Sequence, residues 1–177
     1  MLKIKAHMKN KKTYPKSFSH IGITVPDLKK AVQFYTDVMG WYTVMEPTTV
    51  EKNTDTAIGR MCIDVFGEHW TNFEIAHLAT SDGIGIELFS FPQGTKEAPT
   101  FNPFNTGLFH FCVQDPNIED LVKKIESCGG KKRMPIREYY PDEKPFKMCY
   151  VEDPFGIVFE IYTHSYELTY SPGAYSE

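Results

Sequence analysis

The sequence predicts an α+β fold in which two paired βαβββ modules form a curved sheet that lines a cavity. The chain matches itself at two places, and ionisable residues recur on one face of the matching strands. The first match has the pattern of a strand followed by an amphipathic helix, and the second has that of a strand. A chain of 177 residues, 41% of them hydrophobic, is long enough for one good core or two small ones. We therefore expect a single body built from two modules.

The first repeat covers a strand and the helix after it. The eight residues that start at His20 align with the eight that start at His110, at an offset of 90. Apolar residues then follow at i, i+3, i+4, i+7 and i+10 in both copies, which predicts a helix with one buried face. Asp27 and Asn117 are suitable N-cap residues, and glycines at the far ends are suited to close the helices.

The second repeat predicts one further strand in each half. Residues 83–89 align with residues 156–162 at an offset of 73, and each copy carries a glutamate, Glu87 or Glu160, within an otherwise mostly apolar strand. The other segments with the composition of strands are 41–46, 59–66 and 72–79 in the first half, and 132–138 and 146–151 in the second half.

The repeats divide the chain into two modules that are joined by a linker rich in Pro, Asn and Thr. The first 16 residues contain six lysines and no acidic residue, which is typical of a flexible extension. The predicted boundaries are 1–17 for the basic N-terminal extension, 18–91 for the first module, 92–106 for the linker, 107–164 for the second module and 165–177 for the C-terminal tail.

Strand alternation predicts a metal site on the cavity side of the sheet. The aliphatic residues of each repeated strand share one face, which we expect to pack on the helices, whereas His20, Glu87, His110 and Glu160 lie on the other face. Two imidazoles and two carboxylates are costly to bury without a cation. This set suits Zn, Ni, Co, Mn or Fe and leaves positions free for water or substrate. We expect one divalent metal ion per site.

The segments that carry these residues resemble the vicinal-oxygen-chelate superfamily, which includes glyoxalases, extradiol ring-cleaving dioxygenases, methylmalonyl-CoA epimerases and fosfomycin or bleomycin resistance proteins. Within it, the order His, Glu, His, Glu is similar to that of lactoylglutathione lyase. The matching segments are 20–28 (HIGITVPDL), 34–40 (FYTDVMG), 86–88 (IEL), 110–113 (HFCV) and 152–160 (EDPFGIVFE).

The resemblance implies a metal-dependent lyase or isomerase that acts on a small carbonyl compound by proton transfer through a metal-bound enediolate. Glu160 is the expected catalytic base, and Glu87 can share that role. Two alternatives stay open: an extradiol-type dioxygenase that binds iron through two histidines and Glu160, and a metal-free protein of the same fold that binds a small molecule such as a drug.

The resemblance also bears on the substrate pocket and on assembly. Glutathione-dependent members use an Arg and an Asn where this chain has Thr24 and Phe91, which argues against glutathione. A homodimer is expected, with the modules paired within one chain or exchanged between chains. The residues expected to line the pocket are Thr24, Phe89, Phe91, Tyr150 and Tyr162, which suit a flat or apolar small molecule.

Composition argues against several other partners. The net charge is −4 although six lysines lie in the first 16 residues, so the remainder is too acidic for a nucleic-acid-binding surface. Apolar stretches fall well short of the roughly 20 residues that a membrane-spanning helix needs, and no signal-peptide pattern opens the chain. The sequence therefore predicts a soluble, cytoplasmic protein with no membrane or nucleic-acid partner.

Overall fold

The computed structural model describes residues 14–92, 94–96 and 101–171, and these residues form two β-sheets and four helices. The prediction of an α+β fold with two modules is confirmed. The elements of the first half are β1 (His20–Thr24), α1 (Leu28–Asp37), β2 (Tyr42–Glu51), α2 (Ala57–Phe66), β3 (Asn72–Ala79) and β4 (Gly85–Ser90). Those of the second half are β5 (Phe111–Gln114), α3 (Ile118–Ser127), β6 (Lys131–Lys132), β7 (Arg137–Tyr140), β8 (Lys144–Glu152), β9 (Val158–Tyr162) and α4 (Tyr166–Tyr170).

The first sheet has the strand order β1-β4-β3-β2, in which β1 and β4 are parallel and the other pairs are antiparallel. Helix α1 packs against this sheet. On the helix side Ile23, Ile86 and Leu88 are buried, as the alternation predicted.

The prediction of a strand at residues 59–66 is wrong, because these residues belong to α2. Ile58, Met61, Cys62 and Val65 recur at the spacing of a helix, which strand composition alone does not reveal. The side chain of Thr56 caps this helix by accepting a hydrogen bond from the backbone N–H of Gly59 at 3.1 Å. The first module is therefore βαβββ with one inserted helix.

The second sheet has the order β5-β9-β8-β6, and β7 also pairs with β8. The predicted strand at 132–138 is in fact two short strands, β6 and β7. The residues between them include Pro135, which has no backbone N–H to donate to a neighbouring strand.

Only one of the two predicted N-cap residues caps its helix through its side chain. Asp27 accepts a hydrogen bond from Lys30 N at 3.0 Å, whereas the side chain of Asn117 forms no capping hydrogen bond.

One buried core joins the two modules. The hydroxyl of Tyr35 on α1 donates a buried hydrogen bond of 2.5 Å to Asp153, which lies in the turn between β8 and β9. The Tyr35 ring stacks on Trp41 with centroids 4.9 Å apart, and Trp41 contacts the ring of Phe111 on β5. The first module is thus attached to the second through its helix and the residues that follow it.

Among the residues that the structure describes, no helix combines the length and the apolar character needed to cross a lipid bilayer. The basic residues of the predicted extension up to position 13, and residues 172–177 of the predicted tail, lie outside the described residues.

Candidate functional site

The first half-site consists of His20 and Glu87, which lie on the adjacent parallel strands β1 and β4. The register pairs Gly22 with Glu87, so His20 lies two residues from the glutamate along the same face. His20 Nε2 is 3.8 Å from Glu87 Oε2, and the two side chains are 52% and 27% exposed. The sequence prediction that these two residues share a face is consistent with this contact.

The second half-site consists of His110 and Glu160 and repeats the same geometry. His110 immediately precedes β5, whose Cys112 pairs in register with Glu160 on β9. His110 Nε2 is 3.6 Å from Glu160 Oε2, and these side chains are only 25% and 7% exposed. The internal repeat of the sequence has therefore produced two equivalent histidine–glutamate pairs.

In each pair, the histidine and the glutamate have the donor atoms and the spacing to bind one divalent cation together. Their nitrogen–oxygen distances exceed the roughly 3.2 Å limit of a hydrogen bond. These nitrogen–oxygen distances are close to the roughly 3–3.6 Å that separates two donor atoms when both bind the same ion at about 2.1 Å. His110 Nδ1 is buried, and within the described residues it has no hydrogen-bond partner. Neither imidazole nitrogen of His110 is thus committed to a hydrogen bond inside the described chain.

One chain does not bring the two half-sites together. Within residues 14–92, 94–96 and 101–171, no three His, Cys, Asp or Glu side chains gather in an arrangement able to hold a metal ion. His20 and Glu87 form one pair and His110 and Glu160 form another. Each chain therefore presents two halves of the four-residue set that the sequence predicted.

Tyrosines surround the glutamate of the second half-site. Tyr150 lies directly opposite Glu160 on β8, and its ring contacts His110 edge-on with centroids 5.2 Å apart. The hydroxyls of Tyr150 and Tyr162 lie near the Glu160 carboxylate and favour its charged form. Burial nevertheless raises the pKa of Glu160 above its usual value, and burial lowers the pKa of His110. A shielded carboxylate with a raised pKa has the character of a general base.

Helix α4 contacts the tyrosines that surround Glu160. The Tyr162 hydroxyl is hydrogen-bonded to the hydroxyl of Tyr170 on α4, and the Tyr140 hydroxyl donates to the Thr169 carbonyl at 2.7 Å. Burial and the neighbouring Glu160 carboxylate raise the pKa of Tyr150 to about 12, so its hydroxyl stays protonated at neutral pH. Helix α4 thus belongs to the surroundings of Glu160.

The first half-site contains a histidine to which the sequence analysis gave no role. His77 on β3 lies directly opposite Glu87, and its Nε2 is 4.0 Å from Glu87 Oε1. The turn between β3 and β4 contains Ser81, Asp82 and Gly83, which are typical turn residues. A hairpin centred on Asp82 puts residue 77 opposite residue 87, so this turn was the signal that could have identified His77.

The structure distributes the five predicted pocket residues over three places. Tyr150 and Tyr162 lie at Glu160. Phe89 and Phe91 stack in parallel with centroids 6.3 Å apart, and both contact the Phe66 ring of α2. These two rings therefore belong to an aromatic cluster beneath α2, beyond the first half-site along β4.

Thr24 lines a cavity of about 340 Å³ between the first module and the second. Its walls include β1, the linker residues that precede β5, and His110. The cavity therefore adjoins the second half-site from the side of β1.

Three solved structures from different organisms illustrate the fold that this chain shares with known proteins. A glyoxalase family protein from Bacillus cereus superposes with a TM-score of 0.69 at 20% identity, over 87% of this chain and 97% of that one. A glyoxalase I variant from Zea mays gives 0.59 at 20% identity, over 84% of this chain and 44% of that one. A fosfomycin resistance protein from Listeria monocytogenes, in complex with Mn(II) and 1S,2S-dihydroxypropylphosphonic acid, gives 0.53 at 14% identity, over 88% of this chain and 98% of that one.

At these identities the structural matches establish the fold alone. A comparison with curated protein sequences finds no significant match. The family model described as Glyoxalase/Bleomycin resistance protein/Dioxygenase superfamily matches residues 17–161, a stretch that includes both half-sites. The chain therefore belongs to the Glyoxalase/Bleomycin resistance protein/Dioxygenase superfamily.

Proposed function

We propose that this protein is a divalent-metal-dependent, glyoxalase-like lyase or isomerase whose active site forms between two copies of the chain. The observation that carries the proposal is the pair of equivalent half-sites, each with one imidazole and one carboxylate at a spacing suited to a shared ion. Each complete site takes His20 and Glu87 from one subunit and His110 and Glu160 from the other. A two-fold dimer then contains two identical sites.

Two features of the chain support a homodimer. Strands β1 and β5 are edge strands, each hydrogen-bonded to a neighbouring strand on one side only. Unpaired edges of this kind favour association with another chain unless they are covered. In the segment that precedes β5, Phe104 and Leu108 are 94% and 76% exposed, which is costly for large apolar side chains in water.

The proposed reaction is proton transfer at the carbon next to a carbonyl group of a small substrate. A divalent ion supplies Lewis-acid stabilisation of the negative charge that develops on the carbonyl oxygen. Glu160 removes the proton and returns it, because it combines low exposure with a raised pKa. Tyr150 and Tyr162 flank the Glu160 carboxylate, and their hydroxyls favour its charged form.

The first experiment measures bound metal by elemental analysis in protein purified without chelators or a histidine tag. Mn is offered first, since the Listeria protein with this fold is described with Mn(II), followed by Zn, Ni, Co and Fe. We expect one ion per subunit, lost in His110→Ala and Glu160→Ala and kept in His69→Ala, a change on an exposed loop. If no ion binds and the variants unfold like the wild type, the protein is instead a metal-free small-molecule binder of the same fold.

A mixing experiment tests whether the site is shared between subunits. The double variant His20→Ala/Glu87→Ala is co-expressed with His110→Ala/Glu160→Ala, and bound metal is compared with that of each variant alone. Random pairing makes about half of the dimers hybrid with one intact site each, so about a quarter of the wild-type metal is expected. If the site forms within one chain, the mixture binds no more metal than its components.

The substrate screen follows from the residues that the sequence predicted to line the pocket. Thr24 and Phe91 stand in place of glutathione contacts, and Tyr150 and Tyr162 give the second half-site aromatic walls. We expect turnover of 2-oxoaldehyde adducts or acyl thioesters with small acyl groups, measured as solvent-deuterium incorporation next to the carbonyl. An absence of exchange in the metal-loaded protein would contradict the proposed reaction.

A further inference from the structure

The two oxygens of Glu87 face different imidazoles. Oε2 lies 3.8 Å from Nε2 of His20, whereas Oε1 lies 4.0 Å from Nε2 of His77. The antiparallel pairing of β3 with β4 puts His77 directly across from Glu87, on the same face of the sheet. One oxygen can therefore bind a metal ion together with His20 while the other remains available to His77.

Within the described chain His77 has no polar partner besides Glu87. Its side chain is 35% exposed, and its neighbours on the same face of β3 are the apolar residues Ile75 and Phe73. The contact with Glu87 is thus the only interaction in the described structure that accounts for an imidazole at this position.

The internal repeat gives an independent argument. The offset of 73 that relates Glu87 to Glu160 also relates His77 to Tyr150. Tyr150 lies opposite Glu160 on the neighbouring strand, just as His77 lies opposite Glu87. The Tyr150 hydroxyl lies near the Glu160 carboxylate and favours its charged form. Both modules thus place a side chain able to donate a hydrogen bond across from the glutamate, with a different residue type in each.

We propose that His77 is a positioning residue: its Nε2–H donates to Glu87 Oε1 and orients Oε2, together with His20, toward the metal ion. This inference rests on the metal site of the proposed function. Shortening the contact from 4.0 Å to hydrogen-bond length needs a movement of about 1 Å, which side-chain rotation can supply. Removing a hydrogen-bond partner of a ligand typically weakens metal binding about 10- to 100-fold.

The test compares the metal affinity of the 177-residue protein for wild type, His77→Ala, His77→Gln and His77→Asn, by titrating metal-stripped protein with Mn²⁺ or Zn²⁺ in a calorimeter. We expect His77→Ala to weaken binding about 10- to 100-fold. His77→Gln should recover most of the affinity, because its amide nitrogen reaches the position of Nε2, while the shorter His77→Asn should not. His69→Ala is the matched control, and unfolding of the metal-stripped variants checks that each is folded.

The outcomes separate this inference from the proposed function. If His77→Ala binds metal like the wild type while His20→Ala loses it, the positioning role is overturned and the metal site stands. If His77→Gln is as weak as His77→Ala, donation to Glu87 is overturned in favour of direct ligation by the imidazole. If neither the wild type nor any variant binds metal, the proposed function fails and the role of His77 fails with it.

Discussion

The two half-sites contain the same residue types at the same spacing, yet they differ in how far they are enclosed. His20 and Glu87 are 52% and 27% exposed, whereas His110 and Glu160 are 25% and 7% exposed. On the second sheet, tyrosines and α4 pack around the glutamate. On the first sheet, α2 packs farther along β4 on an aromatic cluster and leaves the half-site open.

This difference shows that the repeat places the two histidine–glutamate pairs, while the surrounding elements set how exposed each pair is. Shielding from water raises the pKa of Glu160, which suits a residue that accepts a proton. Glu87 contacts solvent and lies between two imidazoles, which suits a residue that mainly binds metal. We therefore expect equivalent substitutions in the two half-sites to have unequal effects.

The largest expected effect separates the two glutamates. Glu160→Gln should lower turnover about 10²- to 10⁴-fold per bound ion because it removes the base, whereas Glu87→Gln should act mainly through weaker metal binding. Turnover is measured on the substrate that shows proton exchange in the wild type, and the metal content of each preparation is determined in parallel. Equal losses per bound ion in the two variants would contradict the assignment of different roles.

A substitution at the contact between the two modules should lower the stability of the whole described fold. Tyr35→Phe removes the hydroxyl that donates to Asp153 and leaves a buried carboxylate short of one partner. We expect the free energy of unfolding to fall by about 1–3 kcal/mol, measured by urea denaturation. Tyr42→Phe on the exposed face of β2 is the control and should change little. Equal stability of the two variants would mean that the Tyr35 hydrogen bond contributes nothing.

Removing the hydroxyl beside the enclosed glutamate should have a smaller, local effect. Tyr150→Phe keeps the ring against His110 but loses the hydroxyl that favours the charged form of Glu160. We expect turnover to fall about tenfold, since a polar contact to a charged group contributes up to about 1.5–3 kcal/mol and part of it is replaced by water. Unchanged turnover in Tyr150→Phe would show that the hydroxyl has no influence on Glu160.

The smallest expected effect concerns helix α4, which packs beside the second half-site. Tyr170→Phe removes one hydroxyl from the pair with Tyr162, at a partly exposed position. A loss of about 0.5 kcal/mol corresponds to a decrease of about 1–2 °C in the unfolding temperature, measured by calorimetry on metal-stripped protein. Tyr166→Phe on the exposed side of the same helix is the control. A larger loss in the control than in Tyr170→Phe would contradict the role of α4 as a cover.

Local patterns in the sequence account for much of the fold. The spacing of apolar residues predicted α1 and α3, and strand alternation placed the aliphatic residues of β1 and β4 toward the core. The misassigned segment at 59–66 shows the limit of composition, because residues such as Ile63 and Val65 occur in strands as readily as in helices. The spacing of its apolar residues, rather than their composition, indicates the helix, and Thr56 caps it.

The sequence by itself determined the repeat, and with it the positions and faces of the four candidate ligands, because strand and helix periodicity depend on neighbouring residues. Only the tertiary structure of the described residues decided that these four side chains form two separate pairs, that Glu160 is enclosed and Glu87 open, and that His77 lies across from Glu87. These features depend on strand register and on which helix covers which sheet face. They arise from contacts between residues far apart in the chain, which local periodicity does not encode.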